Sequence, residues 1–382
     1  MDDEVVLITG GCGCMGYHIV QVVLQEPYFK SVHVFSRNPT INLLPGVSYH
    51  SGSLTSPEDI KTLFDLIKPT LIFHVASPVS FGNTANANLF YEINVRGTQN
   101  LLDCAARSLY TKALVYTSST TVSKPPYNSN DETQALIALN SKADFNYYTV
   151  TKAIADIAVL KSNNPKGLRT CCLRIAPIYG KHDVQMIPGT LGVLQEKYHH
   201  SQIGDNTALM DFVSVSNSAR AHILAGKALL KELQADSSTN EKISPKISGE
   251  AFFITDGNPV HFWNFAHKVW AAAGTTVDRK DIRVFPAWFM VGLAVVTEWI
   301  YWTCTFGTVM PEKLRSHTMR YITEDRKFSI EKARERLGYR PVNNMEENVK
   351  DGVGVGGEGT SRVGWFEGKI ECRERRDQGI ER

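Results

Sequence analysis

The chain of 382 residues carries 41 Lys plus Arg against 39 Asp plus Glu, a formal net charge of +2 at pH 7. This balance lacks the basic surface that nucleic acids require, so we expect no nucleic-acid partner. With 43% hydrophobic residues, 28 Gly and 16 Pro, the composition excludes collagen-like and wholly disordered chains. Seven Cys and an acidic start, unlike a signal peptide, predict a protein of a reducing compartment.

Short apolar runs alternate with longer helical segments over residues 4–181, the pattern of repeated β-α-β units around a parallel sheet. The runs predicted as strands are 5–8, 32–35, 71–75, 113–116 and 171–175. Helical spacing of apolar residues predicts helices over 17–25, 57–67, 86–107 and 142–162. Because the runs show little alternation of apolar and polar residues, we expect strands that are buried on both faces.

Residues 182–350 are less regular and predict a smaller, discontinuous substrate-binding part, with some segments returning to the sheet. Helices are predicted over 219–234, 262–273, 311–321 and 330–337. The Gly-rich and charged segment 351–382 buries too little apolar surface to order itself, so we expect a disordered tail.

One segment in this half, residues 284–310, contains a single formal charge, Glu298, in 27 positions. An apolar run of this length is long enough for a membrane span of about 20 residues. Three alternatives stay open: a buried helix-turn-helix, a helix lying in the membrane interface and a true span, against which Glu298 argues.

A glycine-rich loop over residues 10–16 follows the first predicted strand and precedes a helix. Glycines there permit a tight turn and bring backbone amides close to a pyrophosphate, which the helix N-terminus also favours. The position of the loop predicts a dinucleotide site and a Rossmann-type, doubly wound α/β fold. Its residues are Gly10, Gly13, Cys14, Met15 and Gly16. No His or Cys pair at metal spacing accompanies the loop cysteines, so we expect no metal.

The end of the second strand normally selects between NAD and NADP, because an acidic side chain there binds the ribose hydroxyls and repels a 2′-phosphate. Ser36 and Arg37 occupy this place. A neutral residue beside a cation tolerates or attracts the phosphate. We therefore expect NAD or NADP as the cofactor, with a preference for NADP.

Tyr148 and Lys152 stand four residues apart in a predicted helix, so their side chains share one face. A phenol is a poor acid-base group at neutral pH, and a nearby ammonium favours its ionised form. The strand over 113–116 runs on into Ser118 and Ser119, at the edge where open α/β sheets bind ligands. These residues predict a catalytic pair of Tyr148 and Lys152, with the hydroxyls of Ser118 and Ser119 at the same edge of the sheet.

With these motifs the sequence resembles the extended short-chain dehydrogenase/reductase superfamily and, within it, the 3β-hydroxysteroid dehydrogenase family. The resemblance covers about residues 4–350. It is carried by the glycine-rich loop, His74-Val75-Ala76, Asn94-Val95-Arg96-Gly97-Thr98, Thr117-Ser118-Ser119, Tyr148 with Lys152, and the segments 73–78, 210–225, 251–255 and 337–341.

The resemblance implies an NAD(P)-dependent oxidoreductase acting on the 3β-hydroxyl of a sterol or related polycyclic lipid, with decarboxylation where a 4α-carboxylate is present. It implies that Tyr148 takes the hydroxyl proton and that Lys152 lowers the pKa of Tyr148 while holding the nicotinamide ribose. Ser119 would bind the reacting oxygen, and Ala76 would join the cofactor-binding residues. The family's acidic residues after strands two and three are replaced here by Ser36 and Ser53.

The resemblance also implies attachment to the endoplasmic-reticulum membrane with the active site facing the cytosol; a soluble cytoplasmic enzyme is the alternative. The oligomeric state stays open, with a homodimer as one alternative. Other activities remain open as well: a dehydrogenase/reductase of a terpenoid or other secondary metabolite, and an enzyme that reduces or epimerises a nucleotide-sugar. From another class, a regulator could sense the cofactor without turnover, but it would not need the set of Ser119, Tyr148 and Lys152.

Overall fold

The computed structural model describes residues 4–79, 87–133, 147–164, 166–237, 246–306, 311 and 314–358. The strands are β1 (Glu4–Thr9), β2 (Phe29–Ser36), β3 (Val47–Ser51), β4 (Leu71–His74), β5 (Ala113–Ser119), β6 (Tyr127–Asn130), β7 (Arg169–Ile175), β8 (Ile178–Tyr179), β9 (Ser201–Ile203), β10 (Leu209–Met210), β11 (Val213–Ser214), β12 (Glu250–Ile254), β13 (Val260–His261), β14 (Arg283–Phe285) and β15 (Arg326–Phe328). The helices are α1 (Cys14–Gln25), α2 (Pro57–Ile67), α3 (Ala87–Phe90), α4 (Thr98–Arg107), α5 (Tyr147–Lys161), α6 (Met186–Gln195), α7 (Val215–Ser237), α8 (Phe262–Ala272), α9 (Ala287–Thr305), α10 (Ser316–Thr323), α11 (Glu331–Arg336) and α12 (Met345–Glu358), with a π-helix (Tyr91–Gly97) between α3 and α4.

The central sheet has seven strands in the order β3-β2-β1-β4-β5-β7-β12. Every neighbouring pair is parallel. The chain starts in the middle at β1, adds β2 and β3 on one side, and then adds the later strands on the other. Ligands of such sheets bind where the order reverses, here between β1 and β4. The predicted Rossmann-type, doubly wound sheet is therefore confirmed.

Both faces of the sheet are covered by helices, as the apolar runs predicted. In β1, Val6 and Ile8 pack with residues of α1 and α7, whereas Leu7 packs on the opposite face with residues of α2, α4 and α5. Because successive side chains of a strand point to opposite faces, an unbroken apolar run fills two cores.

A smaller assembly lies beside the sheet and contains strands from both halves of the chain. Its four-stranded sheet has the order β13-β10-β15-β6. Tyr179, Phe212 and Phe265 form its apolar centre, with the last two rings stacked 4.3 Å apart. Strand β6 comes before residue 181 in the chain but belongs to the smaller assembly. Strand β12 comes after residue 181 but belongs to the central sheet. Each part therefore contains a strand from the other half of the chain.

The predicted tail begins too early, because residues 351–358 continue α12. Val353 packs against the apolar centre of the smaller assembly. A Cβ at Gly352 would lie 2.2 Å from Ile187 Cδ1 and 2.7 Å from the Gly180 oxygen, so glycine permits a close approach that stabilises this last part of the helix. Residues 359–382 of the predicted tail lie outside the described residues.

The apolar helix α9 lies on the surface, so the alternative of a buried helix-turn-helix is wrong for the part described. Ala294 is the buried residue of this helix, whereas Trp288 is 77% and Trp299 63% exposed. Glu298 accepts hydrogen bonds from the backbone N–H and the hydroxyl of Ser316, at 2.9 and 2.8 Å. The one charge of α9 is thus directed to the start of α10. By length and composition alone, α9 could cross a membrane.

Candidate active site

The glycine-rich loop leaves β1 and enters α1 at the carboxyl edge of the sheet. Gly10 has a φ of +72°, and a Cβ there would lie 2.8 Å from the Cα of Ala76. A Cβ at Gly16 would lie 2.3 Å from the Gly10 oxygen. Gly13 is the N-cap of α1, and no side chain among the described residues caps this helix. The loop therefore presents free backbone amides at a helix N-terminus, which fits a pyrophosphate.

The structure places the other predicted loop residues at different depths. Met15 is buried in the core beneath the loop. Cys14 is partly exposed, and its thiol lies 3.8 Å from the carbonyl oxygen of Lys181. In the part of the chain that the structure describes, no three His, Cys, Asp or Glu side chains are grouped as a metal site would require. The cofactor roles of Cys14 and Met15 stay predictions.

Ser36 ends β2 and Arg37 follows it, at the carboxyl edge of the sheet. The Ser36 hydroxyl forms a hydrogen bond with the Cys12 thiol; burial raises the pKa of Cys12 and this bond lowers it. Arg37 is exposed and has no ion-pair partner among the described residues. Its carbonyl accepts a hydrogen bond of 2.8 Å from the Ser51 hydroxyl. The backbone is therefore held while the guanidinium stays open to a ligand.

His74, fully buried at the end of β4, links the loop strand to the π-helix. The Thr98 hydroxyl donates to the Asn94 carbonyl at 2.6 Å, so its oxygen accepts from His74 Nε2–H at 2.9 Å. His74 Nδ1 then accepts from the Thr9 hydroxyl at 2.7 Å. Burial, together with the Lys152 charge, lowers the pKa of His74 to about 3. A neutral ring with a fixed tautomer therefore holds the two elements together.

Asn94 continues this connection to the helix that carries the catalytic candidates. Its side-chain amide donates to the Thr151 hydroxyl at 3.1 Å and accepts from the Ser77 hydroxyl at 2.9 Å. Thr151 precedes Lys152 in α5. The loop strand, the π-helix and α5 are thus joined by buried hydrogen bonds, so cofactor and catalytic residues are positioned together.

Tyr148 lies half-buried in the first turn of α5 and is hydrogen-bonded to Ser119. Burial raises the pKa of the Tyr148 phenol, and the bond with Ser119 lowers it. Ser119 already accepts from the Thr121 hydroxyl at 2.9 Å, so its own proton is available to the phenol oxygen. The Phe90 ring lies edge-on to Tyr148 at 6.0 Å. The phenol therefore sits in a partly apolar site with one hydroxyl donor.

Lys152 lies one turn further along α5 and is only 2% exposed. Its Nζ donates to the Thr117 carbonyl at 2.5 Å and lies 4.4 Å from the centroid of the Tyr116 ring. Burial lowers the pKa of Lys152 to about 7, whereas the nearby Asp156 carboxylate raises it. The ammonium is consequently held at the end of β5, because the carbonyl that it binds belongs to Thr117, two residues before Ser119.

Ser118 faces the other side of β5 and belongs to a structural network. Its hydroxyl donates to Asp156 Oδ2 at 2.5 Å, and Asp156 is paired with the buried Arg174 at 2.8 Å. Successive residues of a strand face opposite ways, and of the two adjacent serines it is Ser119 that is bonded to Tyr148. This geometry favours Ser119 over Ser118.

Three functional or supporting residues had no role assigned from the sequence: His74, Asn94 and Asp156. His74 and Asn94 stand in motifs that carried the resemblance, and for His74 a polar residue inside an apolar strand was a further signal. Asp156 had a weaker signal, its four-residue spacing from Lys152 on the predicted helix.

This fold and site define a dinucleotide-binding protein of the extended short-chain dehydrogenase/reductase class. The sequence profile of the 3-beta hydroxysteroid dehydrogenase/isomerase family matches residues 7–286, and the chain belongs to that family.

Two similar proteins bear the name sterol-4-alpha-carboxylate 3-dehydrogenase, decarboxylating. That of Gibberella zeae is 35% identical over 300 residues, which cover 78% of this chain and 94% of the relative. That of Schizosaccharomyces pombe is 32% identical over 345 residues, covering 89% and 94%.

Solved structures resemble this one in fold. A UDP-glucose 4-epimerase from Thermus thermophilus in complex with NAD is 20% identical, with a TM-score of 0.65 over 94% of this chain and 100% of that one. The Bordetella bronchiseptica enzyme WbmH in complex with NAD+ is 16% identical, with a TM-score of 0.66 over 94% and 100%.

Replacing the two adjacent serines separately should give opposite phenotypes. Ser119→Ala should lower kcat about 10²-fold, the usual effect of removing one donor to a reacting oxygen, without changing the melting temperature. Ser118→Ala should lower the free energy of unfolding by about 1–3 kcal/mol, because a buried carboxylate loses a donor. Steady-state turnover and thermal unfolding of both variants check this; a larger kcat loss for Ser118→Ala would contradict the assignment.

Proposed function

We propose that this chain is an NAD(P)-dependent dehydrogenase that oxidises the 3β-hydroxyl of a 4α-carboxysterol, with loss of CO2. The observation that carries the proposal is the convergence of Ser119, Tyr148 and Lys152 beside the glycine-rich loop at one sheet edge. The names of similar proteins, matched over most of both chains, support the substrate class. Family membership supports the 3β-hydroxyl as the reacting group.

In the proposed reaction, Tyr148 Oη takes the proton of the substrate hydroxyl while Ser119 donates a hydrogen bond to the same oxygen. The Lys152 ammonium stabilises the phenolate through its charge. The bound nicotinamide supplies the acceptor for the hydride that leaves the carbinol carbon. Tyr148 must be a phenolate before it can take this proton. Burial raises the pKa of the phenol and opposes ionisation, so the proposed stabilisation by the Lys152 ammonium is what favours the phenolate.

Decarboxylation needs no further base. Oxidation of the alcohol gives a β-keto acid, in which the bond to the carboxylate breaks and its electron pair moves towards the new carbonyl oxygen. Tyr148, which holds the proton taken from the hydroxyl, can return it to that oxygen. The same residue would therefore act as base in the first step and as acid in the second.

The glycine-rich loop fits the pyrophosphate of NAD or NADP, since neither Gly10 nor Gly16 has room for a Cβ. For the adenosine end we propose NADP as the preferred form. Ser36 carries no charge that would repel a 2′-phosphate, and the exposed Arg37 has no ion-pair partner among the described residues. Adjacent to such a phosphate, its guanidinium would form a charge-assisted pair.

A panel of alcohols tests the proposed substrate and cofactor together. We expect the purified protein to reduce the nicotinamide with a 4α-carboxysterol, releasing one CO2 per hydride, and to act more slowly on triterpenoid alcohols. NADP should give at least the kcat/KM that NAD gives. Absorbance at 340 nm and trapped CO2 are the measurements.

Two outcomes of this panel would contradict separate parts of the proposal. Turnover of a terpenoid alcohol or nucleotide-sugar, with none of any sterol, would reject the substrate class. A kcat/KM for NAD at least tenfold above that for NADP would reject the cofactor preference alone.

We further propose that α9 attaches the enzyme to the endoplasmic-reticulum membrane, lying in its interface rather than crossing it, with the active site facing the cytosol. Glu298 is bonded to Ser316, which fastens one side of α9 to the protein body. The other sides expose Trp288, Trp299 and Trp302, and Trp is favoured at the headgroup level. A homodimer stays a prediction.

Charging the exposed face of α9 should release the protein from membranes. We expect the intact protein to float with phosphatidylcholine vesicles, and Trp288→Glu combined with Trp299→Glu to remain in the soluble fraction. Leu109→Glu is the matched control, because Leu109 is 96% exposed outside α9, and it should float like the intact protein. An intact protein that stays soluble would contradict membrane attachment.

A further inference from the structure

Arg326 begins β15 in the smaller assembly, and its backbone is held on both sides. The Arg326 carbonyl accepts from the Asp211 backbone N–H at 2.9 Å. The Asp211 carboxylate accepts in turn from the Phe328 N–H at 2.8 Å. The strand also pairs with β6 and β10. The position of Arg326 is therefore fixed by buried hydrogen bonds rather than by its own side chain.

The side chain of Arg326 lies between two aromatic rings. Its Cζ is 4.6 Å from the Tyr127 ring centroid and 4.4 Å from that of Tyr321. Its Nε donates to the Tyr321 carbonyl at 3.3 Å. Stacking on two rings and this bond orient the planar guanidinium, and its two terminal amino groups have no hydrogen-bond partner among the described residues.

No carboxylate of the described residues is paired with Arg326, although two stand beside it in the chain. Asp325 accepts from the Leu209 N–H at 2.8 Å and pairs with Lys327 at 3.0 Å. Glu324 lies 3.9 Å from Arg320. A half-buried arginine without an anion is costly to desolvate, so its terminal donors are suited to an anionic ligand.

One of these two rings links the cation to the catalytic phenol. The Tyr321 phenol interacts electrostatically with both Arg326 and Tyr148: burial raises the pKa of Tyr321 to about 12, Arg326 lowers it and Tyr148 raises it. The other ring, Tyr127, belongs to the segment that follows Ser119, and its hydroxyl donates to the Ser123 carbonyl at 3.3 Å. Arg326 thus contacts two rings, one of which interacts with Tyr148 while the other lies in the segment that follows Ser119.

We propose that Arg326 binds the carboxylate adjacent to the reacting hydroxyl and so selects carboxylated substrates. The assignment rests on the proposed function, since a 4-carboxylate is attached to the carbon next to the one that bears the hydroxyl. Tyr148 and Ser119 would hold the hydroxyl while the guanidinium forms two parallel hydrogen bonds to the carboxylate. Loss of CO2 removes the anion from this pair, so the ketone product should bind more weakly than the substrate.

The test compares two substrates that differ in the carboxylate. The kcat/KM of wild type and variants is measured with a 4α-carboxysterol and with the corresponding 4α-methylsterol, both 3β-alcohols. Arg326→Leu should lower the preference for the carboxysterol about 10- to 100-fold, mainly through KM, because a charge-assisted pair is lost. Arg326→Lys keeps the charge without the planar fork and should lose less of the preference.

Lys327→Leu is the matched control, because this neighbouring cation faces the opposite side of β15 and pairs with Asp325. It should keep the wild-type preference. The melting temperature and NADPH affinity of each variant exclude misfolding as the cause. Equal losses on both substrates in Arg326→Leu would overturn the assignment and give Arg326 a structural role.

A second measurement separates this proposal from the proposed function. Quenching of tryptophan fluorescence gives the affinity of the NADPH-bound protein for the carboxysterol without turnover. Tighter binding of the carboxysterol than of the methylsterol, lost in Arg326→Leu, supports the site even if neither sterol is oxidised, in which case only the proposed activity fails. Equal affinities of the wild type for both sterols would overturn the assignment of Arg326 as the carboxylate-binding residue.

Discussion

The buried ammonium of Lys152 is the constraint on which the rest of the site depends. A charge at this depth would be strongly destabilised without partners, and the Thr117 carbonyl and the Tyr116 ring provide them. One turn along α5, Asp156 adds an opposite charge, which Arg174 balances in turn. The end of β5 is therefore built around one cation, and in the proposed mechanism that cation favours the ionised form of the Tyr148 phenol.

A second set of buried contacts gives this site its geometry. The chain of hydrogen bonds from Thr9 through His74 and Thr98 to Asn94 spans the point where the strand order reverses. It connects the loop that would hold the cofactor to the helix that carries the phenol. A hydride transfer needs both reactants positioned within a fraction of an ångström, and rigid, fully bonded polar groups provide that positioning better than apolar packing alone.

The central fold could be predicted from sequence because strands buried on both faces read as unbroken apolar runs. The edge strand β3 escaped these runs, since its side chains are half-buried or exposed. The exposure of α9 could not be predicted, because the same apolar composition suits a core, an interface or a span. The motif alone did not show which of the two serines contacts the phenol. The structure shows it, because Ser118 is bonded to Asp156 and Ser119 to Tyr148.

Arg326 shows most clearly what sequence patterns cannot supply. It is one of 41 Lys and Arg residues and belongs to no motif. Of the two rings that it contacts, Tyr127 is distant in the sequence, and Tyr321, five residues before it, stands in no motif either. Only the pairing of β15 with β6 brings the first ring to it. Its meaning comes from the tertiary arrangement: a cation without an anionic partner among the described residues, in contact with a ring that interacts with the catalytic phenol.

The central claim is that Tyr148 is the acid-base group of an oxidation, and a single-turnover comparison of wild type with Tyr148→Phe tests it most directly. Phenylalanine keeps the ring and its contact with Phe90 but removes the hydroxyl. Hydride transfer from the carboxysterol, followed by absorbance at 340 nm, should slow by about 10²- to 10⁴-fold. Cofactor affinity should stay within a few-fold. A variant that transfers hydride at close to the wild-type rate would contradict the account.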